Sequence, residues 1–269
     1  MIDLLKYIFL GMVQGITEAL PISSSGHLLI FKNLLNVDVD FDTLAIITNF
    51  GSLLAIILVF RKDIIRLIKN FFLYLFKGDK EAKYDFRYSI LLIIACIPAG
   101  LVGLIVKKLN LLNAIDGNVK IVGISLLVTA LMLFLIRHFD GVKKDRNLRP
   151  LDALKIGLFQ IAGIFPGISR SGSTIVGGMY DGLERDTAFK FSFLLYIPMS
   201  LAATVLEVKD LLKTSISSTL CMYYLIATLM AFIFTLLVIR WFRKLVKEGK
   251  LAYFSIYCLI VGLLVIIFL

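Results

Sequence analysis

The chain has 269 residues, 59% of them hydrophobic and 18% charged, with a mean hydropathy of +0.92. That balance excludes an ordinary soluble domain and points to an all-α polytopic membrane protein. The formal net charge of +10 lies in short basic runs between apolar stretches rather than along one amphipathic face, so it reads as a topology signal and no nucleic-acid partner is expected.

In chain order, the first apolar piece covers 4 to 20 and leads into the polar segment "EALPISSSGHLL" at 18 to 29. Asp3 and Lys6 make a feeble start for a signal peptide and no small-residue cleavage site follows, so this piece is expected to remain in the mature protein. Apolar runs at 43–60, 88–106, 119–136, 188–206, 216–239 and 251–269 are each near the about 20 residues needed to cross the hydrocarbon. They predict six full crossings. Between the third and fourth, a second short apolar piece at 151–165 leads into "GIFPGISRSGST" at 163–174. The stretch 64–76, with Arg66 and Lys69 amid large apolar groups, is expected to lie flat at the cytoplasmic interface. Cys96, Cys221 and Cys258 all fall inside apolar runs without metal-ligand spacing and read as small buried hydrophobes.

Charge orients the spans. Segments 61–87, 137–150 and 240–250 carry eight, five and five Lys or Arg, whereas 107–118 and 207–215 carry two each. The first three are therefore expected on the cytoplasmic side and the other two outside. The segment after Pro150 then starts inside and must end inside, because the next span begins there. It is expected to dip in and return as a re-entrant helical hairpin broken at Pro166, Gly167 and Gly172.

Sliding the chain by 146 residues lays 11–26 over 157–172, matching Gly11 with Gly157, Gln14 with Gln160, Ile22 with Ile168, Ser23 with Ser169, Ser25 with Ser171 and Gly26 with Gly172. Each copy is followed by three crossings, an odd number that inverts the second relative to the first. The expectation is one integral membrane domain, 1–269, built of inverted-topology repeats at about 1–140 and 150–269, with six transmembrane helices and two re-entrant hairpins whose polar turns converge.

The chemistry of those turns starts with Arg170. An arginine within a membrane is costly unless paired or solvated, and it cannot shed its proton. Its fork suits phosphate oxygens, with hydroxyls of Ser169, Ser171, Ser173 and Thr174 around it, and backbone amides brought close by Gly167 and Gly172. The plain alternative is a structural ion pair, with Glu18 the nearest buried acid, and hydroxyls that merely cap helices. In the first motif, Glu18 and His27 flank Pro21 and the run Ser23, Ser24, Ser25. His27 can act as an acid or base toward a serine such as Ser24 or Ser23, or simply pack, and Glu18 can orient the histidine or hold a divalent cation against phosphate. Embedding such machinery in a bilayer favours a lipid phosphate or pyrophosphate as substrate. A flippase or transporter of a phosphate-bearing lipid is the competing reading, since inverted repeats are common in transporters.

At these residues the sequence resembles the bacterial undecaprenyl-diphosphate phosphatases of the bacitracin-resistance type. Glu18 with "LPISSSGH" (20–27) and "PGISRSGST" (166–174) look like the two signature motifs of that family, and the likeness runs along nearly the whole chain. The resemblance implies hydrolysis of the terminal phosphate of the C55 isoprenyl diphosphate carrier, recycling it for cell-envelope synthesis in the plasma membrane, with the active site open to the outer side. It further implies support by Mg2+ or Ca2+, and homodimers among members. Residue by residue, it implies that Glu18 is the essential glutamate, Ser24 the proposed nucleophile, His27 the catalytic histidine and Arg170 the phosphate-binding arginine. Ser169, Ser171 and Thr174 would be supporting hydroxyls. Gln14 stands where many relatives have a glutamate and some a glutamine, which weakens any metal site that needs two carboxylates and leaves Glu18 for one, and Asn49 stands where relatives commonly have a glutamine.

Overall fold

The computed structural model describes residues 2–37, 40–112, 117–211 and 217–269, apart from the side chains of 207–211. Among these residues the chain forms helices α1 (Ile2–Ala19), α2 (Ser24–Leu34), α3 (Phe41–Lys77), α4 (Lys83–Lys108), α5 (Val119–Ile136), α6 (Pro150–Ala162), α7 (Arg170–Tyr180), α8 (Arg185–Leu211), α9 (Ser218–Lys247) and α10 (Leu251–Phe268). A 3-10 turn at Asp145–Asn147 precedes α6. Helices α3, α4, α5, α8, α9 and α10 are long and apolar enough to cross a membrane, which makes the chain an all-helical polytopic membrane protein. The predicted external loops 107–118 and 207–215 fall partly outside the described residues.

The two motif segments fold as hairpins, α1–α2 and α6–α7. In the first, Phe9 and Phe31 meet edge-on with centroids 5.1 Å apart, bringing the middle of α1 beside the end of α2. In the second, Lys143 reaches both Asp152 at the start of α6 (3.4 Å) and Asp181 at the end of α7 (3.0 Å), and Lys155 also pairs with Asp181. Both ends of this hairpin are therefore pinned at one face, the geometry that the basic flanks require. Burial pushes the Asp181 carboxyl up, but hydrogen bonds from Lys155 and Lys143 outweigh it and hold the pKa below its ordinary value. The clamp's contribution is therefore complete above the ordinary carboxylate range and is lost as pH falls through the depressed value.

The hairpins pack across the chain rather than only on their neighbours. Helix α1 lies along α9, α6 lies along α4, and α5 lies along α10. Close approach of backbones makes this possible: a Cβ added at Gly11 would sit 2.3 Å from the Ala227 carbonyl, and one at Gly157 would sit 2.5 Å from the Ala95 carbonyl. Without a hydrophobic drive between helices in lipid, such small-residue crossings maximise dispersion contact. Gly11 and Gly157 are the pair matched when the two motif segments are overlaid. Buried hydroxyls add cross-links, as where Thr235 of α9 donates to the Gly15 carbonyl of α1 (3.0 Å).

Two expectations change. The stretch 64–76 is not a separate surface helix, because α3 continues unbroken through it for 37 residues, about 55 Å of helix against about 30 Å of hydrocarbon. It packs on the start of α4, with Phe71 stacked on Phe86 and Arg66 3.4 Å from Asp85. Of the cysteines, Cys258 is buried and Cys96 half-buried, but Cys221 is exposed on the first turn of α9. An apolar residue on the lipid-facing side of a membrane helix satisfies the same composition signal as a core residue, so hydropathy alone does not tell them apart.

Candidate active site

Each motif breaks its hairpin in the same way. Ser23 caps α2, its Oγ accepting the Gly26 N–H at 3.3 Å, and Ser169 caps α7, its Oγ accepting the Gly172 N–H at 3.0 Å. Ser24 and Arg170 are thus the first residues of their helices, occupying corresponding positions. Ser23 holds φ 68°, a left-handed conformation rare for serine, which redirects the chain between Pro21 and α2. The two turns touch: Ser171 donates to the Leu20 carbonyl at 3.4 Å, and the Gly26 position lies against the Gly167 backbone. Two helix N-termini, with their unpaired N–H groups and positive dipole ends, consequently face one space.

That space is a cavity of about 940 Å³. Its polar end is lined by Gln14, Glu18, Ser23, Ser24, Ser25, Ser169, Arg170 and Ser171. From there it extends past Ala99, Gly100 and Leu104 of α4 and Met199, Ala202 and Ala203 of α8, an apolar wall. Asp40, Asp42, Thr43, Lys107 and Asn110 also line it, at the ends of α3 and α4 that charge bias assigns to the outside. Asn49 is part of the same wall.

Glu18 is the hub. Its Oε1 accepts from Arg170 at 3.2 Å, and its Oε2 accepts from Gln14 at 3.1 Å and from the Ser24 hydroxyl. Arg170 stacks over the Tyr196 ring, 4.7 Å to the centroid, and the Tyr196 hydroxyl donates to Asn49 Oδ1 at 2.9 Å. The Asn49 amide in turn donates to Ser200 at 2.8 Å. The guanidinium is thereby held from below by an aromatic face and from the side by a carboxylate, while 29% of its side chain remains accessible. Such an arginine can exchange its carboxylate for a phosphate without leaving its place.

The structure brings Glu18, Ser24 and Arg170 together with Ser23, Ser25, Ser169 and Ser171. It places the remaining predicted residues elsewhere. His27 is 1% exposed and does not line the cavity: its Nδ1 faces the Ser23 carbonyl at 2.8 Å and its Nε2 faces the Tyr257 hydroxyl at 2.9 Å. A carbonyl only accepts, so the neutral ring carries its proton on Nδ1 and Nε2 accepts from Tyr257. The group facing the Ser24 hydroxyl is Glu18. Ser173 donates to the Ser169 carbonyl at 2.8 Å and Thr174 bonds Ser192, both buried behind the cavity wall. Gly167, at φ 90°, serves close packing, since a Cβ there would meet Ser125 at 2.7 Å and Val122 at 2.8 Å. Gly172 fits against Ser169 and Pro21.

Sequence reasoning missed Tyr196 and Tyr257. Each is an aromatic residue within an apolar span, where tyrosine carries no distinguishing signal; only the arginine's need for a partner pointed toward the first.

For His27, the geometry predicts a role in holding the Ser23 turn. His27→Ala is expected to lower the unfolding temperature in detergent and to reduce turnover about 10-fold to 100-fold without abolishing it. Loss of turnover as complete as in Ser24→Ala, at unchanged stability, would instead make it the base.

Among the described residues no three His, Cys, Asp or Glu side chains form a metal-binding group. Around Glu18 the oxygen ligands are its own carboxylate and the Ser24 hydroxyl, with Gln14, whose Nε2 faces the carboxylate, beside them. They are hard ligands that suit Mg2+ or Ca2+ once phosphate oxygens complete the set.

Six apolar helices enclosing two interlocked hairpins, with a carboxylate, a serine and an arginine at the head of an apolar-walled cavity, define a polytopic membrane protein with an internal site for an anionic amphiphile. The chain belongs to the bacitracin resistance protein BacA family, whose model matches residues 7–264. It is 45% identical to undecaprenyl-diphosphatase 2 of Bacillus thuringiensis, covering 99% of this chain and 98% of that one. It is 43% identical to the undecaprenyl-diphosphatase of Oceanobacillus iheyensis, over 99% of this chain and 97% of the relative. Undecaprenyl-diphosphatase 1 of Halalkalibacterium halodurans is 40% identical over 98% of this chain and 95% of its own length.

Proposed function

We propose that the protein hydrolyses undecaprenyl diphosphate to undecaprenyl phosphate and inorganic phosphate, recycling the lipid carrier for envelope synthesis in a bacterial plasma membrane. The observation that carries this reading is the contact of Arg170, Glu18 and Ser24 at the polar end of a cavity that continues along an apolar wall of α4 and α8. A diphosphate head fits the first part and an isoprenyl tail the second. In this reading the two halves are inverted repeats of one membrane domain. The cavity opens to the outer side, because Asp40, Asp42 and Lys107 at its rim sit on the poorly basic ends of α3 and α4. A homodimer follows from the family resemblance alone.

On binding, Arg170 transfers its fork from Glu18 to the phosphate oxygens, and the N-termini of α2 and α7 add N–H donors. Glu18 then keeps its bond to Ser24 and accepts that hydroxyl's proton as Ser24 Oγ forms a bond to the terminal phosphorus. The bond from phosphorus to the bridging oxygen breaks, and the lipid monophosphate leaves. Water hydrolyses the phosphoserine, returning Ser24 and releasing phosphate. Glu18 and Gln14 are the residues that would hold Mg2+ or Ca2+, which supplies charge neutralisation of the phosphates when bound.

Release of inorganic phosphate from C55 diphosphate by the purified protein in detergent tests this reading, because hydrolysis needs no sealed membrane. Activity is expected to fall on chelation and to return with Mg2+ or Ca2+. Specific binding of the lipid without phosphate release, at any metal concentration, would sink the phosphatase reading and favour the flippase or transporter.

A further inference from the structure

Gln160 lies on α6, and its side chain is 2% exposed. It contributes to the wall of the cavity that holds Glu18 and Arg170, yet its Nε2 has no hydrogen-bond partner. Gln14, which occupies the matching position in the first motif segment, is equally buried at 2%, lines the same cavity, and spends its Nε2 on Glu18 at 3.1 Å. Four residues further along, the correspondence breaks: where the first segment has Glu18, the second has Ile164, also on the cavity wall. The acceptor that satisfies Gln14 is thus missing for Gln160.

A buried amide left without an acceptor is costly, and such groups in folded proteins call for a reason. Nothing about helix α6 demands a glutamine at this point. Its neighbour one turn earlier, Ile156, is apolar and buried, and an apolar residue of similar size would fill the same space without the penalty. An acceptor arriving from the cavity removes the deficit once the Gln160 amide, whose Nε2 is itself buried, turns toward it. The site already concentrates positive potential there, through Arg170 and two helix N-termini, so the fitting acceptor is an anionic oxygen.

We propose that Gln160 is a substrate-binding residue whose amide N–H donates to a diphosphate oxygen, the oxygen standing where Glu18 stands for Gln14. The proposal rests on the reading of the cavity as a diphosphate site. The two halves then divide the work: one glutamine steadies the carboxylate, and the other recognises the substrate. Stability is traded for binding at this position, which gives an unusual signature.

The test uses the purified full-length protein and its Gln160→Leu and Gln160→Glu variants, with thermal unfolding in detergent, hydrolysis kinetics on C55 diphosphate, and inorganic pyrophosphate as the binding probe. Gln160→Leu is expected to unfold at the same or a higher temperature than wild type, to raise KM about 10-fold or more, and to lose most of the stabilisation by pyrophosphate. Gln160→Glu, which keeps the shape but presents a carboxyl, is expected to lose that stabilisation as well and to report the effect should the leucine variant fail to fold. Unchanged KM with unchanged pyrophosphate stabilisation in either folded variant overturns the proposal, as does a lower unfolding temperature at unchanged KM, which marks a structural glutamine. If wild type is stabilised by pyrophosphate and the variants are not, Gln160 stands as a diphosphate donor even where wild type releases no phosphate; in that case only the phosphatase reading fails.

Discussion

Replacing Arg170 with alanine is expected to reduce kcat/KM on C55 diphosphate by about 10³-fold or more, roughly 4 kcal/mol of transition-state stabilisation, with the protein still folded. The guanidinium is the one cation at the polar end of the cavity among the described residues, and it is already aimed by Tyr196 and Glu18. Its removal takes away the donor that follows charge as it develops on the transferring phosphoryl group. Arg170→Lys is expected to recover little, because an ammonium presents neither a planar fork nor a flat face to lie on the Tyr196 ring. Folding is expected to survive, since Ser169 rather than Arg170 caps α7 and Glu18 keeps Gln14 and Ser24 as partners. Phosphate release within a few-fold of wild type by a folded Arg170→Ala protein would remove the clamp from the mechanism.

The second large effect is expected at Ser24 and Glu18. Ser24→Ala deletes the attacking oxygen and is expected to abolish turnover to the level that positioning and charge neutralisation alone support, a loss of about 10³-fold or more. Glu18→Gln keeps the shape and can still bond Ser24, but it cannot take its proton, so it is expected to match Ser24→Ala within a factor of several. The two losses are expected to be strongly non-additive, because both remove the same step. Acid quenching of wild type during turnover, followed by mass analysis, is expected to find phosphate on Ser24. If Ser24→Ala turns over normally while Glu18→Gln does not, water attacks directly and Glu18 activates it.

Much of this architecture is legible from residues alone because lipid is an unforgiving solvent. Every long apolar run from 43 to 269 became a helix, and the basic flanks of 150–184 dictated a hairpin whose ends the structure finds clamped by Lys143. The meeting of Glu18 with Arg170, 152 positions apart, followed from the expense of an unpaired arginine and the overlay of the two motif segments. Residue type announces chemistry but not direction. His27 has the right chemistry for a base, yet one turn of α2 separates it from Ser23, so its ring bonds that carbonyl instead of reaching the cavity. Ser173 and Thr174 lie one helical turn beyond Ser169 and Arg170, where they are buried and their hydroxyls turn back to the Ser169 and Arg170 carbonyls. Tyr196 and Tyr257 escape notice because their partners come from other helices, and nothing local in "LLYIPMS" or "SIYCLIV" marks them.

The packing of α1 on α9 bears on how the molecule is made. Synthesis proceeds from the amino end, so the helix bearing Glu18 enters the bilayer some 200 residues before the helix whose backbone it will touch at Ala227 and Ala231. Throughout that interval the first hairpin lacks its packing against α9, although the groups that join the two turns, Leu20 with Ser171 and Glu18 with Arg170, are already made. Glu18 thus lies on a helix whose packing partner is synthesised long after it.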